Sequence, residues 1–264
     1  MSQPASSLAL KALQEWWGDM GVEVDEVEMR ALKKAAESRT VAAPADDEAP
    51  KPRRLKRAKT HEDWVNDARQ LARKADSLDA LKAAIEGFDG CILKEAARNT
   101  VCFDGVQGAP VMVIGEGPGA EEDVKGLPFV GRAGQLLDKM LAAINLSRTE
   151  NTFITNVNYW RPPGNRNPSD EELELCRPFV DRMVELGAPK LVIVAGGVAA
   201  KSLLQTRDGI MKLRGTEQVL KTPSGFEAPM FPMFHPAFLL RRPEEKSRAW
   251  RDLLQIQAKL ESLA

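Results

Sequence analysis

From residue 109 onward the chain alternates short apolar runs with longer amphipathic stretches, and this alternation restricts its fold more than any other feature. Residues 111–114, 153–157 and 191–195 read as strands, with 218–220 and 230–234 as two further strands. Between them, residues 133–144 carry Leu136, Leu137, Met140, Leu141 and Ile144 along one helical face. Ser169, with Glu172 three residues on, has the form of a capping box and opens a helix to about residue 186. A Gly196-Gly197 doublet precedes a helix over 198–204, and a charged helix closes the chain from about residue 244. Strands buried on both faces and separated by helices of this length predict a three-layer α/β/α domain around a mostly parallel sheet of about four to five strands. Thr60 and Ser77 have the character of N-caps for two leading helices, so the domain is expected to span residues 61–264.

Upstream, residues 1–37 read as a short helical segment. Residues 38–60 read as a linker, with three prolines, an acidic step at 46–48 and six basic residues between Lys51 and Lys59. A hydrophobic fraction of 43% excludes a wholly disordered chain. The formal charge of −1 gives no whole-molecule attraction to a polyanion, and residues 87–264 hold 22 basic and 22 acidic side chains, so any such partner must be held by a local patch. Cys91, Cys102 and Cys176, without a CxxC pair and with only two histidines, exclude a disulfide framework and a His/Cys zinc cage. No uncharged apolar run approaches the roughly 20 residues of a membrane span, and no signal-peptide pattern opens the sequence. A soluble, cytoplasmic monomer is expected.

In parallel sheets ligands sit beyond the carboxyl ends of the strands. After the first run comes Gly115-Glu116-Gly117-Pro118-Gly119, whose glycines let backbone N–H groups approach a ligand while Glu116 would repel a phosphate. After the second, Asn156 can offer one donor and one acceptor to a planar ring, or simply form a turn. After the last comes Phe234-His235-Pro236-Ala237-Phe238-Leu239-Leu240-Arg241, with one of the two histidines.

Taken in order, VIGEGPGAEEDVKGLPFVGRAGQLLDKML, ITNVNYWRPPGNRNPSDEELELC and FHPAFLLR resemble a uracil-DNA glycosylase, nearest to the family-4 type that usually carries an iron–sulfur cluster. The resemblance runs from about residue 88 to 254. It implies cleavage of the N-glycosidic bond of deoxyuridine in DNA, on a base flipped out of the stack. Phe129 would lie against the uracil face, Asn156 would read its edge, and Glu122 would stand near C5. His235 would donate to O2 as negative charge develops there, helped by backbone amides at Gly115 to Gly117, and Glu116 would act on water or on the cationic sugar. Arg161, Arg166, Arg214 and Arg241 are the candidate phosphate contacts, and Leu239 and Leu240 the candidate wedge. None of these residues is a lysine, so Schiff-base chemistry lacks its amine and a monofunctional hydrolase is expected.

The chain departs from the resemblance at the cluster. The four ligand positions fall on Phe88, Cys91, Trp160 and Cys176, and two thiolates do not provide four-cysteine coordination. No metal or other cofactor is expected, with Phe88 and Trp160 filling the volume. The histidine-containing insertion of covalent-trapping relatives is likewise missing after the second motif. Two rival readings stay open at this point: a non-catalytic protein that binds uracil or abasic sites, and a glycosylase of shifted base preference.

Overall fold

The computed structural model describes residues 59–263. The helical segment expected over 1–37 and nearly all of the 38–60 linker lie outside the described residues. Two helices lead in as their caps predict. In α1 (His61–Lys74), Thr60 Oγ1 accepts from Asp63 N and the Asp63 carboxylate accepts from Thr60 N. α2 (Leu78–Glu86) starts on Ser77, whose hydroxyl accepts from Ala80 N. A single turn, α3 (Leu93–Ala96), precedes the sheet.

The chain then runs β1 (Phe103–Gly105), β2 (Val111–Gly115), α4 (Ala120–Lys125), α5 (Arg132–Ala142), β3 (Thr152–Asn156), α6 (Asp170–Gly187), β4 (Leu191–Ala195) and α7 (Gly197–Leu204). It ends with α8 (Ile210–Leu213), β5 (Gln218–Lys221), β6 (Glu227–Met233), α9 (Pro236–Arg241) and α10 (Lys246–Leu263). The sheet has six strands in the order β1-β3-β2-β4-β6-β5. β3, β2, β4 and β6 are parallel, while β1 and β5 pair antiparallel at the two edges. The sixth strand, β1, has no signal in the sequence: it is three half-buried residues, Phe-Asp-Gly, extended because they pair with β3.

Alternation along the parallel strands builds two cores. Met112, Ile114, Phe153, Val192, Val194 and Met230 face α1, α2, α6 and α7, while Val111, Val113, Ile154, Ile193 and Phe231 face α5, α9 and α10. Truncating a fully buried side chain such as Leu137 or Ile193 to alanine would cost about 2–5 kcal/mol. The domain is three-layered, and its four parallel strands all end along one edge. There β2 and β3 are in register, Gly115 opposite Asn156, and the pairing continues through Val157 N to Gly115 O (2.9 Å) and Asn158 N to Glu116 O (3.1 Å). On the other flank, Gly196 N donates to Met233 O at 2.9 Å, which brings the end of β6 beside that of β4.

Candidate active site

At that edge Glu116, Gly117, Glu122, Phe129, Arg166, His235 and Arg241 line a cleft of about 400 Å³. Gly115 makes it possible: a Cβ there would overlap both the Phe129 ring and Asn156 Oδ1, so only glycine lets these two groups meet. Phe129 itself has φ +53°, a left-handed conformation that strains a residue with a bulky side chain. The surroundings enforce it. Gly134 leaves room for the Phe129 carbonyl, Arg148 Nη2 donates to that carbonyl at 2.8 Å, and Arg148 is anchored by Asp104 (2.7 Å) and Asp138 (2.8 Å). Glu122 holds the same loop: one carboxylate oxygen accepts from Val130 N (3.0 Å) and Gly131 N (2.9 Å), and the other from Gly119 N (3.1 Å). Its carboxylate thus clamps the loop that carries Phe129.

His235 is the N-cap of α9, and its Nδ1 accepts from Ala237 N at 3.1 Å. That bond places the ring proton on Nε2. Burial, reinforced by Arg241, pushes the His235 pKa down to about 4, so the imidazole is a neutral Nε2–H donor at physiological pH. Its ring stacks on Phe129, centroids 5.5 Å apart and planes 25° apart. Gly196, at φ +101°, gives it room, since a Cβ there would lie 3.0 Å from His235 Cβ. Burial raises the Glu116 carboxyl above the ordinary carboxylate range, and Arg241 partly offsets the rise. Asn156 is 1% exposed and its Oδ1 has no hydrogen-bond partner among the described residues. A buried amide oxygen left unpaired costs about 1–3 kcal/mol, which a ligand donor would recover.

The candidate DNA contacts divide sharply. Arg241 is exposed and lines the cleft, and its side chain makes no hydrogen bond or ion pair among the described residues. Leu240 beside it is exposed. Leu239, by contrast, is 1% exposed and packs in the core under α9, so the expected two-residue wedge reduces to Leu240 because the helix turns its neighbour inward. Arg214 is also a structural residue: it donates to Asp252 through Nε (3.0 Å) and Nη2 (2.5 Å) and to Arg248 O (2.6 Å), and stacks over Phe234. Arg166 forms a two-pronged pair with Glu172 (2.8 and 2.6 Å), and Arg161 donates to Asn165 Oδ1 at 2.7 Å. Arg148 and Gly134 are absent from the sequence expectations, and Gly196 figures there only as part of a turn. An RAG step at the head of α5 and a GG doublet are visible signals for the glycines, whereas an arginine that folds back across nineteen residues leaves none.

At the positions where the family-4 resemblance implies cluster ligands, Phe88 and Trp160 are both buried. Phe88 meets Phe179 and Trp64 edge-on, and Trp160 Nε1 donates to Thr100 Oγ1 at 3.0 Å. Cys91 and Cys176 are buried free thiols, and among the described residues no group of three or more His, Cys, Asp or Glu is placed to hold a metal ion. Two thiols flanked by two packed aromatics do not fit a four-cysteine cluster.

Comparison with known proteins agrees with this geometry. The profile of the uracil DNA glycosylase superfamily matches residues 103–254. A type-4 uracil-DNA glycosylase of Sulfurisphaera tokodaii is 34% identical over 186 residues, covering 69% of this chain and 84% of that protein. Type-4 enzymes of Pyrobaculum aerophilum (35% over 179 residues, 67% and 91%) and Thermotoga maritima (32% over 176 residues, 66% and 89%) are similarly related. With the profile matching more than half its length and relatives above 30% identity matched over most of theirs, the chain belongs to the uracil DNA glycosylase superfamily.

Proposed function

We propose that this protein is a monofunctional uracil-DNA glycosylase, hydrolysing the N-glycosidic bond of deoxyuridine in DNA to release uracil and leave an abasic site. The observation that carries the reading is the buried Asn156 amide, its Oδ1 unpartnered, meeting the Phe129 ring over Gly115 at the head of a cleft with a neutral histidine. An amide in that position can accept from uracil N3–H and donate to O4. Cytosine presents the opposite pattern, and the resulting mispairing costs about 1–3 kcal/mol.

As the bond lengthens, the departing base gains negative charge at O2 and the sugar becomes cationic. His235 Nε2–H stabilises the first without transferring its proton, which a neutral imidazole retains, and one such donor contributes about 3–4 kcal/mol. Glu116 serves the second by orienting water on the sugar face or by its charge. Gly115 and Gly117 keep backbone close to the base. Glu122 acts through the loop it clamps, setting the Phe129 wall. Arg241 and Leu240 meet the DNA directly; Arg161 and Arg166 shape the rim beside them. The domain beginning near residue 61 carries this activity, with 38–60 as its linker, and works as a cytoplasmic monomer. No helix among the described residues is long and apolar enough to cross a membrane.

Incubating the protein with oligonucleotides bearing uracil, mismatched thymine, hypoxanthine or xanthine, and then with alkali, tests the reading. Strand scission at uracil alone is expected. Tight binding without scission would leave a recognition protein, and scission at another base would reassign the specificity.

A further inference from the structure

The mismatch between this chain and a four-cysteine cluster leaves a mechanical question: what fixes the segment after β3, which forms one wall of the cleft. Asn158 lies at its root and is fully buried. Its Nδ2 donates to Trp160 O at 2.6 Å, and its Oδ1 accepts from Trp160 N at 3.3 Å and from Cys176 Sγ at 3.8 Å. Its backbone N donates to Glu116 O, and its side chain lies under Gly117, where a Cβ would be 3.1 Å from Nδ2. Trp160 extends the set to Thr100, while Tyr159 O accepts from Val101 N at 2.8 Å. Asn158 therefore spans both walls of the cleft: its backbone holds the Glu116 loop and its side chain underlies Gly117, while the same side chain binds the segment leading to Arg161 and Asn165 and ties it to α6 through Cys176.

We infer that Asn158, with Trp160 closing over it, is a positioning residue that does by hydrogen bonding and packing what a metal cluster would do at this place: it holds the Glu116 loop and the Arg161 wall in register across the cleft. The role in turnover rests on the proposed glycosylase activity, while the structural part does not. Asn158→Ala removes the three side-chain bonds and the support beneath Gly117, and leaves every side chain that meets substrate in place. Misplacing a catalytic loop by a fraction of a contact distance lowers the rate of the chemical step more than it weakens binding.

The test uses the full chain. In Asn158→Ala, amide hydrogen exchange over residues 116–119 and 161–167 should quicken about tenfold with α10 unchanged, and kcat on uracil-containing DNA should fall about tenfold or more with KM within about threefold. Wild-type protein incubated anaerobically with ferrous iron and sulfide should take up neither stoichiometrically. Should Asn158→Ala not fold, Thr100→Val, which removes the hydroxyl that accepts from Trp160 Nε1 at nearly constant side-chain volume, should quicken exchange over 161–167 alone. Unchanged exchange in the variant that folds, a raised KM with kcat intact, or stoichiometric iron and sulfide in the wild type would each overturn the inference. If the wild type releases no uracil, the proposed function fails and the exchange measurements still decide the latch.

Discussion

The cleft at the strand ends and the packed region behind it are built from the same loops, yet they treat polar groups in opposite ways. Behind the cleft, Asn158, Trp160, Arg214 and Glu172 are all engaged, and of the Asn158–Trp160 segment only Tyr159 Oη is buried without a hydrogen-bond partner among the described residues. At the head of the cleft Asn156 Oδ1 is buried without a partner, and within it the Arg241 side chain stands free, Glu116 carries a half-buried carboxyl and Phe129 holds a strained backbone. Unsatisfied groups cost stability, so a fold retains them where a ligand completes them. The contrast separates residues that act on substrate from residues that hold the others in place, and each prediction below moves one side of it.

The largest effect is expected at His235. His235→Ala removes the Nε2–H donor and should lower kcat on uracil-containing DNA about 10²–10³-fold, with DNA affinity nearly unchanged. Single-turnover kinetics beside a binding titration separates the two quantities. A loss confined to affinity would make His235 a binding residue and remove the stabilisation assigned to it. Glu116→Gln should lower kcat about 10²-fold. Because burial disfavours the ionised carboxyl, the same variant should gain thermal stability, by roughly 2 °C in Tm. Lower activity with a lower Tm would place Glu116 among the structural residues.

The two arginines give a smaller and more pointed test. Arg214 lies in a pair with Asp252 whose side chains are 16% and 4% exposed, so Arg214→Gln should cost about 2–4 kcal/mol of stability by leaving a buried carboxylate unpaired. It should leave the salt dependence of DNA binding alone. Arg241→Gln should do the reverse, with little change in Tm and a slope of log affinity against log salt smaller by about one. If both variants flatten the salt dependence, the division between engaged and free cations fails.

Much of this is legible in the sequence alone. The Thr60, Ser77 and Ser169 caps and the apolar runs at β2, β3 and β4 are local signals, and local signals survive folding. Three strand-end motifs in register pointed to Glu116, Asn156 and His235, which the fold brings to one edge of the sheet. What stayed hidden depends on distant contacts. β1 is a strand only by its pairing with β3, and Arg148 reaches Phe129 only after α5 has turned the chain back. Arg214 and Arg241 look alike in a string of letters, and a buried aspartate 38 residues downstream decides which is free. Leu239 and Leu240 are adjacent and equally apolar, and the helix phase alone sends one into the core.

The pH dependence sets the two central groups against each other. The folded His235 pKa is about 4 against an ordinary 6.5, so between those values the unfolded chain binds a proton that the folded chain refuses. Stability linked to His235 is therefore complete above pH 6.5 and falls as pH drops toward 4, by no more than about 1.4 kcal/mol per pH unit. Glu116 has the opposite sign. Its folded pKa lies above the ordinary 4.5, so its contribution is complete below pH 4.5 and is lost as pH rises through the folded value. Denaturant unfolding of wild type, Glu116→Gln and His235→Ala across pH 4–7 should show this as difference curves of opposite slope. Turnover adds the second half of the test. Its acid limb should follow Glu116, because His235 stays neutral down to about pH 4; an alkaline limb that disappears in His235→Gln but persists in Glu116→Gln would mean that the protonated imidazole is the active form, and the neutral donor would have to give way to general acid catalysis.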